Sequence, residues 1–529
     1  MTPSFNLWSE SWITLERQDG SQEDLSIQDA LLKAHEYRTL YELSPLIIVA
    51  IHRLLVAILQ AIIQPQTAAD LKKLWHAGRF PADEIVRFGK VYKVRFDLFS
   101  EEYPFMQSAD LPLAPEKKTN AKSVGYLIQE QPAGTAVTHY NHTYDVRQQF
   151  CPACAAKGLL LIPPFASSGG AGIKPSINGV PPIYILPGGN SWFEVLTASL
   201  VTPDYQPEAA TKEDTPWWQH EPIVIRKHEV KRIGYLHSLT FPARRVRLHP
   251  SHSRQPCSRC GNISEWSVAT MVYEMGESRA KDAPWWRDPF AAYRTGDDRQ
   301  PIPLRPLEGK AIWRDFAGLF LYAEPTSHDD TKKEAAFLRP SLLDQLGELR
   351  DENLPFRRGR YPFRTVGVRT DMKMKIFEWE EAGFDIPISV LFGPRTAKTI
   401  KQSIDFAGKC DGILKNMYQK YFGSRQAELT DATPVKGSPV IRRQMMQRYW
   451  QRLGDTFRLW LTRFEPGADD QILFEEWLQI VVRTGTAVFR ETAESLNRGT
   501  STALICEQAI NHCRATLYSY RNKFKENAE

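Results

Sequence analysis

Cys151-Pro152-Ala153-Cys154 and, far downstream, Cys257-Ser258-Arg259-Cys260-Gly261 decide how the larger part of this 529-residue chain folds. Two residues between cysteines let both thiolates turn onto one metal ion. Two such knuckles complete a tetrahedral tetrathiolate zinc site with Zn–S distances of about 2.3 Å. Four thiolates leave no open position for water, so such a zinc is structural. The long separation of the pairs makes the site a pin between distant parts of one domain, unlike a compact zinc finger. Two unrelated pairs of buried cysteines would give the same text. A repeated CxxC in a reducing compartment favours metal over disulfides. Cys410, Cys506 and Cys513 fall in amphipathic segments and read as small buried hydrophobes.

Around the cysteine pairs, residues 1 to 385 are rich in Pro, Gly and aromatics, with short apolar runs. The expected strands are Phe5–Trp8, Trp12–Leu15, Val180–Leu186 and Arg244–Leu248. The expected helices are Ile27–Ala34, Pro45–Ile63 and Trp192–Leu200. Long loops, such as 108–124, 203–220 and 298–309, separate them. This pattern predicts a large irregular α+β domain.

After Gly393-Pro394 the apolar residues recur at helical spacing. Four segments stand out, about 396–422, 438–464, 468–497 and 501–525. Leu473, Trp477, Ile480, Val481 and Val488 share one face of the third. Cys506, Ala509, Ile510, Cys513, Leu517 and Tyr520 share one face of the fourth. Ser501 suits the N-cap of the last helix. Residues 386–529 therefore predict an all-α four-helix bundle.

The chain carries 67 basic and 62 acidic residues, a net charge of +5. That excess permits nucleic-acid contact without arguing for it, because local patches matter more than the total. Hydrophobic residues at 42% and charged residues at 24% exclude wholesale disorder. His52, Arg53 and Gln60 interrupt the apolar run from Leu46 to Ile63, which predicts a buried helix and no membrane partner. The first residues show no signal-peptide pattern, so a cytoplasmic protein is expected.

Ser167-Ser168-Gly169-Gly170-Ala171-Gly172, followed by Lys174 and Asn178-Gly179, lets backbone approach a ligand closely and offers a cation for phosphate. Walker A spacing is missing, and an ordinary loop has the same composition. Three basic stretches suit phosphate backbones or, equally, solvated faces: Arg244-Arg245-Val246-Arg247, Phe356–Tyr361 with Arg364 and Arg369, and Arg442-Arg443 with Arg448 and Arg452. Catalytic patterns are poor. His142, His249 and His252 stand near the CxxC pairs, but no acidic partners stand at fixed spacing to make a nuclease.

Several phrases recur in order along the chain. They are Phe5-Asn6-Leu7 with Trp12-Ile13, Asp19-Gly20 and Ser26-Ile27, then Phe96-Asp97-Leu98-Phe99 with Pro104-Phe105-Met106-Gln107. The first CxxC with its glycine loop follows, then Phe241-Pro242 with Arg244-Arg245, the second CxxC, and Arg514-Ala515-Thr516-Leu517-Tyr518. This ordered set, running from residue 5 to about 520, resembles the CasA family, the large subunit of the type I-E CRISPR Cascade complex. The resemblance implies a non-catalytic protein beside the crRNA 5′ handle. It implies contacts to the backbone and small Cascade subunits, PAM sensing in double-stranded target DNA, duplex opening and docking of the helicase-nuclease. It places the glycine loop on Ser168, Gly169, Gly170, Ala171 and Gly172, with Lys174 beside it. The basic minor-groove finger falls near Met275, with Arg279 and Lys281 as the nearest cations. The wedge falls on Gly367 to Met372, with Arg369, Asp371 and Met372 as its candidates. The 126–143 segment, with His139-Tyr140-Asn141-His142, matches the part that touches the handle and neighbouring subunits. A zinc-dependent nuclease and a purely structural scaffold are the rival readings.

Overall fold

A computed structural model of the chain describes residues 2–114, 121–128, 148–167, 174–207, 214–284, 286–295, 301–307, 309–322, 337–350, 359–370, 376–423 and 437–528. The chain forms two compact units. One comprises Met1–Pro306, Thr326–Arg357 and Pro362–Gly383; the other comprises Leu307–Pro325, Arg358–Tyr361 and Phe384–Glu529. Two short stretches that precede residue 386 thus group with the C-terminal helices.

The first unit is α+β, with small sheets set among helices. Ile13–Arg17 pairs on either side with Gln22–Leu25 and Tyr37–Leu40. Two expected strands fall short. At Phe5–Trp8 only Asn6 forms a bridge, to Asp97, and the Asn6 side chain accepts the Trp8 N–H at 3.1 Å, folding the chain into a turn. The Val180–Leu186 run yields only Tyr184–Pro187, because Pro181 and Pro182 have no N–H to donate. The expected helices form as Ile27–Leu32, Pro45–Ile63 and Trp192–Ala198.

The Pro45–Ile63 helix has the length and apolarity to cross a bilayer, yet it is buried within the first unit, the signature of a core helix. Its three polar interruptions each find an internal partner, although His52 Nδ1 and Arg53 Nε and Nη1 are left without one. His52 Nε2 meets Ser199 Oγ at 2.8 Å. Gln60 clasps the Val201 backbone, donating to its carbonyl at 2.8 Å and accepting its N–H at 3.0 Å. Arg53 pairs with Asp288 at 2.8 Å, both side chains being at most 3% exposed.

The site-bearing element is an antiparallel hairpin of Arg244–His252 and Trp266–Met275, with Arg244 opposite Met275 and His252 opposite Trp266. Its turn carries the second CxxC. Phe150 exchanges both backbone hydrogen bonds with Val268 at 2.8 Å, which sets the first CxxC beside it. At the open end, Ser278–Arg279 continues the chain and pairs in parallel with Glu229–Val230. A strand of ten residues spans roughly 30 Å, so the hairpin has two well-separated ends.

In the second unit the helices Pro394–Phe422, Pro439–Leu461, Asp470–Leu496 and Thr500–Ala528 form the bundle, the third packing on the other three. Leu473, Trp477, Val481 and Val488 are buried as the periodicity predicts, and Trp477 Nε1 donates to Ser403 O at 2.9 Å. The last helix starts at Thr500, so Ser501 lies inside its first turn and is not the cap. Ser438 and Asp469 cap the second and third helices, accepting N–H groups of Ile441 and of Gln471 and Ile472.

Removing one partner of the buried Arg53–Asp288 pair strands a charge. Asp288→Ala should therefore cost about 3–5 kcal/mol in chemical unfolding, and an Arg53→Met/Asp288→Leu double variant should recover most of it. Burial, and secondarily the Arg53 charge, pushes the His52 imidazole down to about 3. An unfolded histidine titrates near 6.5, so the unfolded state binds the extra proton. Stability from His52 is present above that pH and is lost as pH falls toward 3, by up to about 1.4 kcal/mol per unit. Unfolding curves of wild type and His52→Asn at pH 7 and pH 5 should show a shallower pH dependence in the variant.

Candidate metal centre and basic cleft

Each half of the cysteine cluster is shaped locally. Cys151 caps the Pro152–Leu160 helix, with Pro152 at its first position and Cys154 in its first turn. A helix N-terminus favours negative charge, and so thiolates. In the second half the Gly261 N–H donates to Cys257 O at 2.9 Å, and Gly261 adopts φ +77°, a region that suits glycine. The halves are stitched together: Ser258 N–H donates to Gln149 O at 2.8 Å, and Gln149 N–H to Ser258 Oγ at 2.9 Å.

The four Sγ atoms lie within 4.8 Å of one another, and Cys151 and Cys260 stand 3.6 Å apart. Sulfurs at tetrahedral corners about 2.3 Å from an ion are about 3.8 Å apart, so the residues present fit one metal. Hydrogen bonds to Cys151 and Cys257, with burial, push the Cys154 thiol far up. Bonds from Cys151 and Cys154 hold Cys257 far down. Four thiolates this close would repel one another without a cation between them, and the cluster could hold a metal ion in that place. Cys151, Cys154 and Cys257 are buried and Cys260 is exposed, and the cluster brings together two pairs of cysteines that are distant in sequence.

At the other end of the hairpin lies a cleft of about 250 Å³. Lys174, Asn178, Arg279, Lys281, Trp286 and Tyr293 are among its lining residues. Three of the cations expected at a DNA site thus converge. Lys174 is exposed and pairs with Glu229, whose carboxyl it holds below the usual range. Arg279 is half-buried, and its Nη2 donates to Pro284 O at 2.6 Å and Ala283 O at 3.3 Å. Burial lowers its affinity for a proton. Lys281 is exposed. Met275, where the finger would fall without a gap, is 4% exposed, and its sulfur accepts the Lys174 N–H at 3.2 Å. It is a core residue.

Ser168, Gly169, Gly170, Ala171 and Gly172 lie outside the described residues, as do Asp371, Met372, His142 and Phe356–Arg358. So does most of the 126–143 segment. Arg369 is described: it sits in the Arg360–Thr370 strand and donates to Glu378 at 2.9 Å across to the Ile376–Pro387 strand.

The basic stretches fare unequally. Arg244, Arg245 and Arg247 are all buried, at 1%, 9% and 2% exposure, and offer no face to phosphate. Their guanidinium groups donate inward, Arg245 to Val224 O at 2.7 Å and Arg247 to Ser100 O at 3.0 Å. Arg364 pairs with Glu381 at 3.1 Å, and Arg360 with Asp385 and Glu465. On the second bundle helix Arg448 and Arg452 turn to Glu491, leaving Arg442 and Arg443 exposed. His249 is buried and meets Thr270 Oγ1 at 3.2 Å, and His252 faces Glu265 at 3.8 Å. Neither approaches the geometry of a metal-bound water site.

One basic run lies outside the stretches singled out from sequence. Arg226-Lys227-His228-Glu229-Val230-Lys231-Arg232 reaches the cleft through its parallel pairing with Ser278–Arg279, and Arg226, Lys227, Lys231 and Arg232 are exposed. A search for basic heptamers would find it. No local signal shows that Glu229 would meet Lys174.

The family model described as CRISPR-associated protein Cse1 matches residues 6–488. A Thermus thermophilus protein described as CRISPR-associated protein CasA/Cse1 is 28% identical over 517 residues, covering 94% of this chain and 93% of that protein. The crystal structure of Thermobifida fusca Cse1 superposes with a TM-score of 0.78 at 23% identity, over 98% of each chain. A crystal structure of CasA from Thermus thermophilus gives 0.73 at 24% identity, over 97% of this chain and 100% of that one. A chain of a CRISPR RNA-guided surveillance complex gives 0.73 at 18% identity, over 98% and 100%. At these identities the superpositions bear on the fold.

The cysteine geometry makes its own prediction. Elemental analysis of purified protein should find about one equivalent of a thiophilic divalent metal per chain. Cys154→Ser and Cys257→Ser should each lose it. Acidification should release it, because protons compete for the thiolates. Metal retained in both variants would contradict the site.

Proposed function

The chain belongs to the CRISPR-associated Cse1 family, the CasA large subunits of type I-E Cascade, and on that premise we propose that it is the subunit that reads the PAM. In this reading it performs no chemistry on the DNA. It binds target double-stranded DNA, helps open the duplex for crRNA pairing and presents the surface on which the helicase-nuclease docks. The observation that carries the reading is the convergence of Lys174, Arg279 and Lys281 on one cleft, reached from segments a hundred residues apart.

Division of labour follows from the chemistry. Exposed cations of the 226–232 run and Lys174 neutralise phosphates and set register without reading sequence. The glycine loop, Ser168 to Gly172, brings backbone against the base pairs, where a Cβ would block close approach. Lys281 is the cation that enters the minor groove. Arg279, held by two backbone carbonyls, braces the segment that carries it. The minor groove shows mainly acceptors, so a lysine there distinguishes few sequences, as a tolerant PAM reader requires. Asp371 and Met372, between the Arg360–Thr370 and Ile376–Pro387 strands, are the wedge, with Arg369 at its base. An apolar side chain there can unstack a base step.

The metal is zinc in this reading, held by Cys151, Cys154, Cys257 and Cys260. It supplies structure and no bound water, which separates the protein from a zinc-dependent nuclease. The 126–143 segment meets the crRNA 5′ handle and neighbouring Cascade subunits.

Binding of the assembled complex to duplexes randomised at the PAM tests the reading. Wild type should discriminate among library members. Gly170→Asp and Lys281→Ala should lose that discrimination by about tenfold or more while keeping metal and assembly. Equal binding of every member by wild type would leave the scaffold reading in its place.

A further inference from the structure

We propose that Arg244 is the positioning residue of the PAM-reading loop, a fork that ties both ends of that loop to the hairpin. This rests on the reading of the cleft above. Arg244 opens the Arg244–His252 strand and is 1% exposed. Its Nη2 donates to Ser167 O at 2.7 Å, and its Nη1 to Lys174 O at 2.9 Å. Ser167 and Lys174 are the residues that flank 168–173 in sequence, so one planar group grips the chain where the glycine loop leaves and where it returns. Nη1 also donates to Ala243 O at 2.7 Å, fixing the fork to its own strand. Met275, the cross-strand partner of Arg244, accepts the Lys174 N–H through its sulfur. One step further back, Ser176 N–H donates to Ala166 O at 2.8 Å, so the two stems run together toward the fork.

Two physical points bear on this arginine. First, its charge is buried, and among the described residues no carboxylate stands within ion-pair distance of it. Arg245 has Asp110 at 2.7 Å and Arg53 has Asp288. A buried cation that faces carbonyls, the Met275 sulfur and the Tyr273 ring but no carboxylate is unfavourable for stability, so the guanidinium supplies something that an apolar side chain would not. Second, that something is geometry. A guanidinium presents several donors in a rigid plane, whereas an ammonium is a point charge on a flexible stem and cannot fix two separate carbonyls in one orientation. Holding the loop ends in the free protein removes ordering that DNA would otherwise have to impose.

The test uses the assembled complex and the same randomised duplexes. Arg244→Lys and Arg244→Met should flatten the preference for the favoured PAM by about tenfold. Metal content and binding to a PAM-less duplex should stay within about twofold. Arg247→Met is the control, because Arg247 is equally buried and also donates to carbonyls, but those of Ser100 and Glu101. It should destabilise the protein and leave the preference intact. If both arginine positions flatten the preference alike, or neither does, the inference is overturned. The cleft reading survives that outcome if Gly170→Asp still abolishes discrimination. A wild type that does not discriminate ends both. Should the Arg244 variants fail to assemble, Met275→Leu decides, since it keeps the core volume and removes the sulfur acceptor. A flattened preference supports the fork, and an unchanged one overturns it.

Discussion

The register of one hairpin governs the placement of everything functional in the first unit. Arg244 opposite Met275 marks its buried end and His252 opposite Trp266 its more exposed end, with the register shifting between His249 and Pro250. At the turn end the register presents Cys257 and Cys260 to the Phe150–Val268 bridge, which delivers Cys151 and Cys154. At the open end the chain doubles back through Gly276, whose N–H donates to Ala243 O at 3.2 Å. A Cβ on Gly276 would stand 2.4 Å from Pro242 O, so only glycine lets the strand leave at that point. Ser278–Arg279 then lies beside Glu229–Val230, and the cleft forms between them and Lys174. A cysteine cluster that could hold a metal thus sits at one end of a strand pair whose other end carries the cleft.

Much of this was legible in the text of the chain. The CxxC pairs were, because metal ligation depends on spacing within a few residues. The bundle was, because helical periodicity is a local property, and Pro45–Ile63 forms as read. What failed was any inference that required knowing partners from distant segments. Arg244, Arg245 and Arg247 look like a basic strand face. Their acceptors, the carbonyls of Ser167, Lys174, Val224 and Ser100, come from three separate stretches, and no local pattern announces them. Met275 fits a finger by position and is buried in the core, and Arg279 is half-buried and donates to the carbonyls of Ala283 and Pro284. Lys281 remains as the exposed cation for the same reason: its availability depends on what its neighbours bind.

The same logic applies to the charge balance. Exposed ion pairs contribute little stability, but they remove cations from the pool that can meet phosphate. Arg364 and Arg369 are answered across their strand pair by Glu381 and Glu378. In the second unit, Arg448 and Arg452 are answered by Glu491. A net charge of +5 is therefore a poor guide. Around the cleft, Lys174, Arg226 and Lys231 are answered in the same way by Glu229, Glu274 and Asp282, whereas Lys227, Arg232 and Lys281 are exposed with no carboxylate at ion-pair distance among the described residues.

In the proposed function the cleft touches the base pairs beside the target. Cross-linking the assembled complex to a PAM-bearing duplex with a photoreactive residue at position 281, followed by mapping of the linked nucleotides, tests it most directly. Links to PAM base pairs from the minor-groove side, absent when the PAM is scrambled, are the expected result. Links that ignore the PAM, or fall only on distant backbone, would contradict it.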